Sequence, residues 1–165
     1  IQDSTEYYRE FDKPKIILPD ISTRGNFAFD VMGGFFCANT AYIIISDDKF
    51  LLGILNSKLV TYYYQHLSSS YRGGYLRFIH QYLNQIPIYN ANYDNPTDKA
   101  RHDKMVALVE RMLALHKQKA DVKTDHDKNL VERQIEATDK QIDALVYDLY
   151  GLTSEEIQIV ERGTK

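Results

Sequence analysis

The side chains best suited to chemistry sit close together in this chain: Ser68, Ser69, Ser70, Tyr71, Arg72, Tyr75 and Arg77, interleaved with Gly73 and Gly74. Arginine presents a planar fork of donors that matches the O6 and N7 acceptors of guanine in the major groove. Serine, tyrosine and the backbone N–H groups beside glycines reach phosphates. Together these are the tools of duplex DNA recognition. The same residues have a plainer reading, in which Arg72 and Arg77 pair with nearby carboxylates and Tyr71 and Tyr75 pack on the preceding helix. The sequence leaves both open. A second loop, Thr23-Arg24-Gly25-Asn26, has the composition to approach the same face. The candidate DNA contacts are therefore Arg24, Ser69, Ser70, Arg72, Tyr75 and Arg77. Lys58 and His66 read as the solvated side of a helix, and Tyr62-Tyr63-Tyr64 as core and rim rather than a base-stacking platform.

Catalytic readings are thinner. Pro19-Asp20 and Asp47-Asp48-Lys49 fit the loose pattern of a magnesium-dependent nuclease, with Asp20 and Asp47 holding metal and Lys49 aiding the attacking water. The commoner role for such residues is a strand end at Asp20 and a helix cap at Asp47 or Asp48. Asn95-Pro96-Thr97 lacks the second proline and the aromatic residue of an N-P-P-Y methyl-transfer loop. Gly33-Gly34 and Gly73-Gly74 lack the strand-then-helix context of a cofactor turn, so no cofactor site is read within the chain. Cys37, between Phe36 and Ala38, reads as a small buried hydrophobe. His66, His80, His102, His116 and His126 have neither cysteine companions nor ligand spacing, which argues against a metal site.

The elements that must position these residues follow from periodicity. Lys15-Ile16-Ile17-Leu18, closed by Pro14 and Pro19, predicts a core strand. Phe27 and Phe29 alternate with Ala28 and Asp30 as in a half-buried strand. Gly33-Gly34 turns into Phe35-Phe36-Cys37, and Tyr42-Ile43-Ile44-Ile45 predicts another strand, giving an antiparallel meander in outline. The opening residues 1–12 read as a tether ending in a short extended piece. Helix starts near Phe50, and Ser57 begins a second turn. Leu52, Leu55, Leu59, Tyr62, Tyr63 and Leu67 then mark one apolar face. Tyr75, Arg77 and Ile79 share one side of a short strand, with Leu76 and Phe78 on the other.

Residues 90–96 are turn-forming throughout and mark a linker. Beyond it, Met105, Leu108, Met112 and Leu115 stripe a first helix capped by Thr97 and running to about Ala120. A charged turn over 121–127 leads to a second helix from Lys128 to Tyr150, striped by Val131, Ile135, Thr138, Ile142, Leu145 and Leu149. Gly151 ends it, and Thr153 with Glu156 forms a capping box for a short last helix bearing Ile157 and Val160. The fold class expected is α+β: a small antiparallel or mixed sheet with packed helices over 1–89, then a long antiparallel helical hairpin and a short C-terminal helix over 97–165.

The chain has 165 residues, 44% of them hydrophobic, and no apolar run near the ~20 residues of a membrane span. Membrane partners are excluded on that reading. It opens on Ile1 in polar sequence, which reads as a piece of a larger parent. The single cysteine allows no internal disulfide, and a cytoplasmic location is expected. The net charge of −3 argues against nucleic acid only as a sum. Residues 1–89 hold eight Lys/Arg and eight Asp/Glu, while the rest hold twelve and fifteen, so the whole deficit lies in the helical part.

With these residues in place, a family resemblance emerges. KPKIILPDIS, FAFD, GFFCANTAYII, LLGILNSKLVTYYY, SSSYRGGYLR and YLNQIPI, in that order, resemble the C-terminal specificity domain of TaqI-type adenine-specific DNA methyltransferases and fused type IIG restriction-modification enzymes. QIDALVYDLYGLTSEEIQIVE resembles the ending of the same polypeptides. The resemblance implies a target recognition domain that binds double-stranded DNA and directs an upstream methyltransferase domain of the same polypeptide. That domain would hold S-adenosylmethionine and flip the adenine; a fused nuclease, if there, would need magnesium. No catalytic residue carries over to this chain. Two other readings stand beside it: a magnesium nuclease using Asp20, Asp47 and Lys49, and a helical module that only binds proteins.

Overall fold

The computed structural model describes residues 5–68 and 73–164. Its first element is a helix, α1 (Thr5–Glu10), where the sequence suggested an extended tether. What ties this segment down is Phe11, which is buried and whose carbonyl accepts the Lys15 ammonium at 2.5 Å. Lys15 opens β1 (Lys15–Pro19), the core strand expected from its β-branched run. It is the central strand of a three-stranded antiparallel sheet, between β3 (Ala28–Asp30) and β4 (Ala41–Ile45).

That order departs from a meander. β3 and β4 both run against β1 on opposite edges, so residues 31–40 cross from one end of the sheet to the other. β1 has backbone N–H and C=O groups to pair on both edges, and a hairpin between β3 and β4 would have left one of those edges open. Residues 35–37 form no strand, and Phe35 and Phe36 are exposed. Cys37 is half-buried, its thiol donating to the Ala41 carbonyl.

The alternation expected in β3 holds for buried Phe27 and half-buried Phe29, but Asp30 also points inward. Its Oδ2 lies 2.6 Å from Lys15 Nζ, with both side chains buried, and Lys15 and Asp30 are register partners across β1 and β3. The same oxygen accepts from Gly34 N and Phe35 N. Lys15 first, and then those amides, hold the carboxyl well down, at about 2, against the opposing effect of burial.

Two residues leave the first sheet to form a separate ribbon. β2 (Ile21–Ser22) pairs antiparallel with β5 (Leu76–Arg77). Between them in sequence come α2 (Lys49–Leu55), capped by Asp48, and α3 (Lys58–Leu67), capped by Ser57. The break at Asn56-Ser57 resets the helical phase. Leu52 and Leu55 are buried as expected, but on α3 the buried face is Val60, Thr61 and Tyr64, with Tyr63 exposed. Leu76 and Phe78 are buried and Tyr75 exposed, as alternation requires, and Phe78 stacks on Tyr64 at 4.6 Å. A short α4 (His80–Leu83) follows.

The hairpin is α5 (Pro96–Asp121) and α6 (Asp125–Leu149), closed by α7 (Ser154–Gly163). Its caps are Asn95 rather than Thr97, with Pro96 in the first turn, and Thr124, which shortens the expected turn. Gly151 is left-handed and closes α6, with Leu152 N on the Tyr147 carbonyl and Gly151 N on that of Asp148. The Thr153 and Glu156 capping box is present. Both expected stripes face inward. Met105, Leu108, Val109, Ile142, Leu145, Val146 and Leu149 join Ile16, Leu18, Phe50, Ile54 and Phe78 in one cluster. α5 lies so close to α2 that a Cβ at Gly53 would fall 2.6 Å from Met105 Sδ. Among the described residues, no helix is long and apolar enough to cross a membrane.

Asp30→Ala strands a buried ammonium and should lower stability by about 3–5 kcal/mol in urea unfolding at pH 7. Replacing Lys15 and Asp30 together by Met and Leu should recover most of that loss. Because the folded carboxyl is held below its unfolded value near 4, the native pair's contribution is complete above pH 4 to 5 and fades as pH falls toward 2.

Candidate nucleic-acid interface

The β2–β5 ribbon brings the two arginine-bearing segments together. Ile21 sits opposite Arg77 and Ser22 opposite Leu76, so the chain leaving β2 toward Thr23 and Arg24 runs alongside Tyr75 and Gly74 as they enter β5. Gly73 and Gly74 have φ of +81° and +80°, a pair of left-handed residues that only glycine accepts without strain. Tyr75 is 44% exposed and Arg24 is exposed. Ser69, Ser70 and Arg72, with Tyr71, lie outside the described residues. The ribbon thus brings Tyr75 and Arg77 beside the start of the 23–26 loop, while Arg24 itself lines clefts toward Asp139 of α6.

Arg77 is not loose on that edge. Its Nη2 reaches both oxygens of Asp20 at 3.1 Å, and Nε adds a longer contact at 3.4 Å. The plainer reading, in which the arginine meets a carboxylate, therefore holds for Arg77. The two roles are compatible. Nη1 takes no part in the pair, and a guanidinium held by a carboxylate has already lost the side-chain freedom that binding would otherwise cost. The Arg77 carbonyl accepts from the Tyr64 hydroxyl at 2.6 Å. Burial pushes that phenol up to about 12, so it remains a donor through the physiological range.

The Arg24 loop is fastened from below by residues whose role the sequence did not disclose. Asn56 donates to the Phe27 carbonyl at 3.0 Å and accepts from Phe27 N at 2.8 Å, a two-way clamp made possible by the helix break. Gly25 N donates to Thr61 Oγ1 at 3.1 Å, and a Cβ there would meet the Leu55 carbonyl at 2.6 Å. In sequence the available sign was only an asparagine at the break between two helical stretches, and its partner at Phe27 lies far off along the chain. Arg24 itself borders a cleft shared with Asn56, Lys58, Thr61, Asp139 and Asp143.

The next residue in that tract, Lys58, links the interface to the hairpin. Its backbone N–H donates to buried Asp143 at 2.8 Å, and its ammonium reaches Glu161 at 2.5 Å. Lys58 is thus a strut between α3, α6 and α7 rather than a solvated helix side. Burial raises the Asp143 carboxyl to about 6, although the Lys58 amide opposes the rise.

The nuclease residues are not assembled. Asp20 is engaged by Arg77, Asp48 caps α2, and Lys49 reaches Glu110 at 2.5 Å. Among the described residues, no group of three or more His, Cys, Asp or Glu side chains is placed to hold a metal. Neither glycine pair precedes a helix: Gly33-Gly34 lies in the crossing after β3, and Gly73-Gly74 enters β5. His66 Nδ1 lies 2.8 Å from the Tyr62 carbonyl, within its own helix.

Residues 1–88 match the model of a family described as the TaqI-like C-terminal specificity domain. The match covers α1 through α4 and every strand, and so contains the whole ribbon.

Asn56→Ala removes both sides of the Phe27 clamp and should cost about 1–3 kcal/mol in urea unfolding. It should also speed amide exchange at Phe27. Asp143 titrates the other way from Asp30: its folded value lies above the unfolded one, so the stability it lends is present below pH 4 and lost as pH rises through 6. Asp143→Asn keeps an acceptor for Lys58 N. It should stabilise the chain by roughly 1–3 kcal/mol at pH 8 and by little at pH 4, read from paired urea melts.

Proposed function

The chain belongs to the TaqI-like C-terminal specificity domain family, and from that premise we propose that it selects a short duplex DNA sequence through the β2–β5 ribbon and the loops that flank it. A specificity domain chooses the target and does no chemistry on it. The observation that supports the reading is the pairing of Ile21 with Arg77, which brings the start of the 23–26 loop beside Tyr75 and Arg77, continuous in sequence with Ser69, Ser70 and Arg72.

Charge supports base reading over simple phosphate attraction. Asp20 neutralises Arg77, so this residue adds little to a general pull on the DNA backbone while still offering donors to a guanine edge. Among the described residues the Arg24 side chain makes no ion pair with a carboxylate, and it suits a phosphate or a second base. Residues 1–89 would be the recognition unit, 90–96 the linker, and 97–165 the brace that keeps it rigid.

In the parent polypeptide this unit would guide an adenine-specific methyltransferase domain that binds S-adenosylmethionine. A type IIG arrangement would add a magnesium-dependent nuclease. Both activities belong to domains outside this chain, which we place in the cytoplasm with its DNA. The nuclease reading within the chain has no observation in its favour. The helical module that only binds proteins has little more, because the apolar stripes of the hairpin are occupied by its own two helices and by α2 and α3.

Selection from a randomised duplex library at low salt, followed by sequencing of the bound pool, tests the proposal. One short motif should emerge. Arg77→Ala should then weaken binding to that motif by about 1–3 kcal/mol and relax one position, with a much smaller loss on unrelated duplexes. Equal weakening on every duplex would assign Arg77 to the phosphates, and no enrichment under any variant would remove the recognition role.

A further inference from the structure

The crossing after β3 exposes a knob that neither the core nor the ribbon uses. Within residues 31–36, Val31 is 53% exposed, Met32 86%, Phe35 69% and Phe36 64%. Isolated exposed hydrophobics are ordinary, but a run of four in six consecutive residues is a patch of the kind that marks an interaction surface.

This patch is built rather than loose. Asp30 Oδ2 takes the N–H groups of Gly34 and Phe35 while it holds the Lys15 ammonium. Gly33 is left-handed at φ +65° and sits so tightly on Asp12 that a Cβ would lie 2.2 Å from its carbonyl oxygen. A buried ion pair thus pins a segment whose side chains face solvent, which pre-organises them for a partner.

The position and charge of the knob decide what covers it. It lies at the Lys15 end of β1, whereas the ribbon departs from the Pro19 end. Residues 31–36 contain no Lys or Arg, and of the lysines beside them Lys15 is paired with Asp30 and Lys13 with Glu10, so the patch itself brings none of the cations that contact with a DNA backbone requires. The segment that arrives here is α1. Phe11, just after it, lays its ring 5.0 Å from that of Phe36, and Asp12 supports Gly33. A domain tethered through α1 is therefore held near the knob, at high effective concentration for docking there.

We infer that the 31–36 knob is the docking surface for the domain that precedes this one in its polypeptide, received in an apolar recess of that domain. The inference rests on the proposed reading of the chain as the specificity unit behind a catalytic domain. Docking at one end of β1 leaves the ribbon at the other end free for DNA and fixes its orientation toward the catalytic site.

The test uses the full-length polypeptide with a photo-crosslinking p-benzoylphenylalanine at position 35, and a second version with the probe at exposed Tyr93 as control. Irradiation should join position 35 to peptides N-terminal to Ile1 of the same molecule, with no such product from position 93. Cross-links only to DNA or to another copy, or none above the control, would overturn the inference. In the same polypeptide, Met32→Ser with Phe35→Ser should lower methyl transfer at least tenfold. The urea midpoint and selected motif of the 165-residue chain should be unchanged. Methyl transfer without the cross-link defeats the docking alone, whereas the cross-link in a polypeptide without methyl transfer defeats the methyltransferase reading and leaves the docking standing.

Discussion

Asp20 is the residue on which the recognition edge depends. Its backbone N–H donates to the Thr40 carbonyl at 2.9 Å, its own carbonyl accepts from Phe78 N at 2.8 Å, and its carboxylate holds Arg77. One residue thereby joins the end of the three-stranded sheet to the separate two-stranded ribbon. Strands of two residues cannot hold themselves together in water. The ribbon persists because Asp20 anchors it on one side and Tyr64, stacked on Phe78 and donating to the Arg77 carbonyl, anchors it on the other. Everything proposed about base reading follows from the mutual placement of the 23–26 loop and residues 73–77 that this junction imposes.

The helical hairpin belongs to the same mechanical argument. Its stripes complete the core beneath α2, and Asp143 meets the first amide of α3 directly below the loop that bears Arg24. A recognition loop carried on a rigid scaffold loses less freedom on binding than one carried on a mobile scaffold. The hairpin also shows how a polar group can serve two ends: Asp143 satisfies a helix N-terminus at the cost of a buried carboxyl, and of the charges around it Lys58 favours the carboxylate while Asp139 and Glu161 disfavour it.

Periodicity revealed much of this and missed what depends on tertiary partners. The core strand over 15–19, the alternation at Leu76 and Phe78, the hairpin stripes, the Gly151 stop and the Thr153 capping box are local chemistry, and each appears where the spacing put it. The inward turn of Asp30 was not legible, because a charged residue in an alternating strand reads as solvent-facing until its lysine partner is placed opposite. The phase shift at Asn56-Ser57 defeated the single apolar face for the same kind of reason: two helices with one break cannot share one stripe. In the candidate interface, the arginines and tyrosine were visible as residue types. The residues that hold the loops, Asp20, Asn56 and Thr61, were not, since each acts across a gap of more than twenty-five residues.

The most direct test of the central claim is amide mapping. The chain, labelled with 15N, is titrated with the duplex it prefers, and its backbone amide shifts are followed by NMR. The account requires the largest perturbations over residues 21–26 and 69–77, with the 31–36 knob and the far ends of α5 and α6 unmoved. Perturbations centred on the hairpin or the knob, with the ribbon silent, would show that DNA binds elsewhere and would contradict the account.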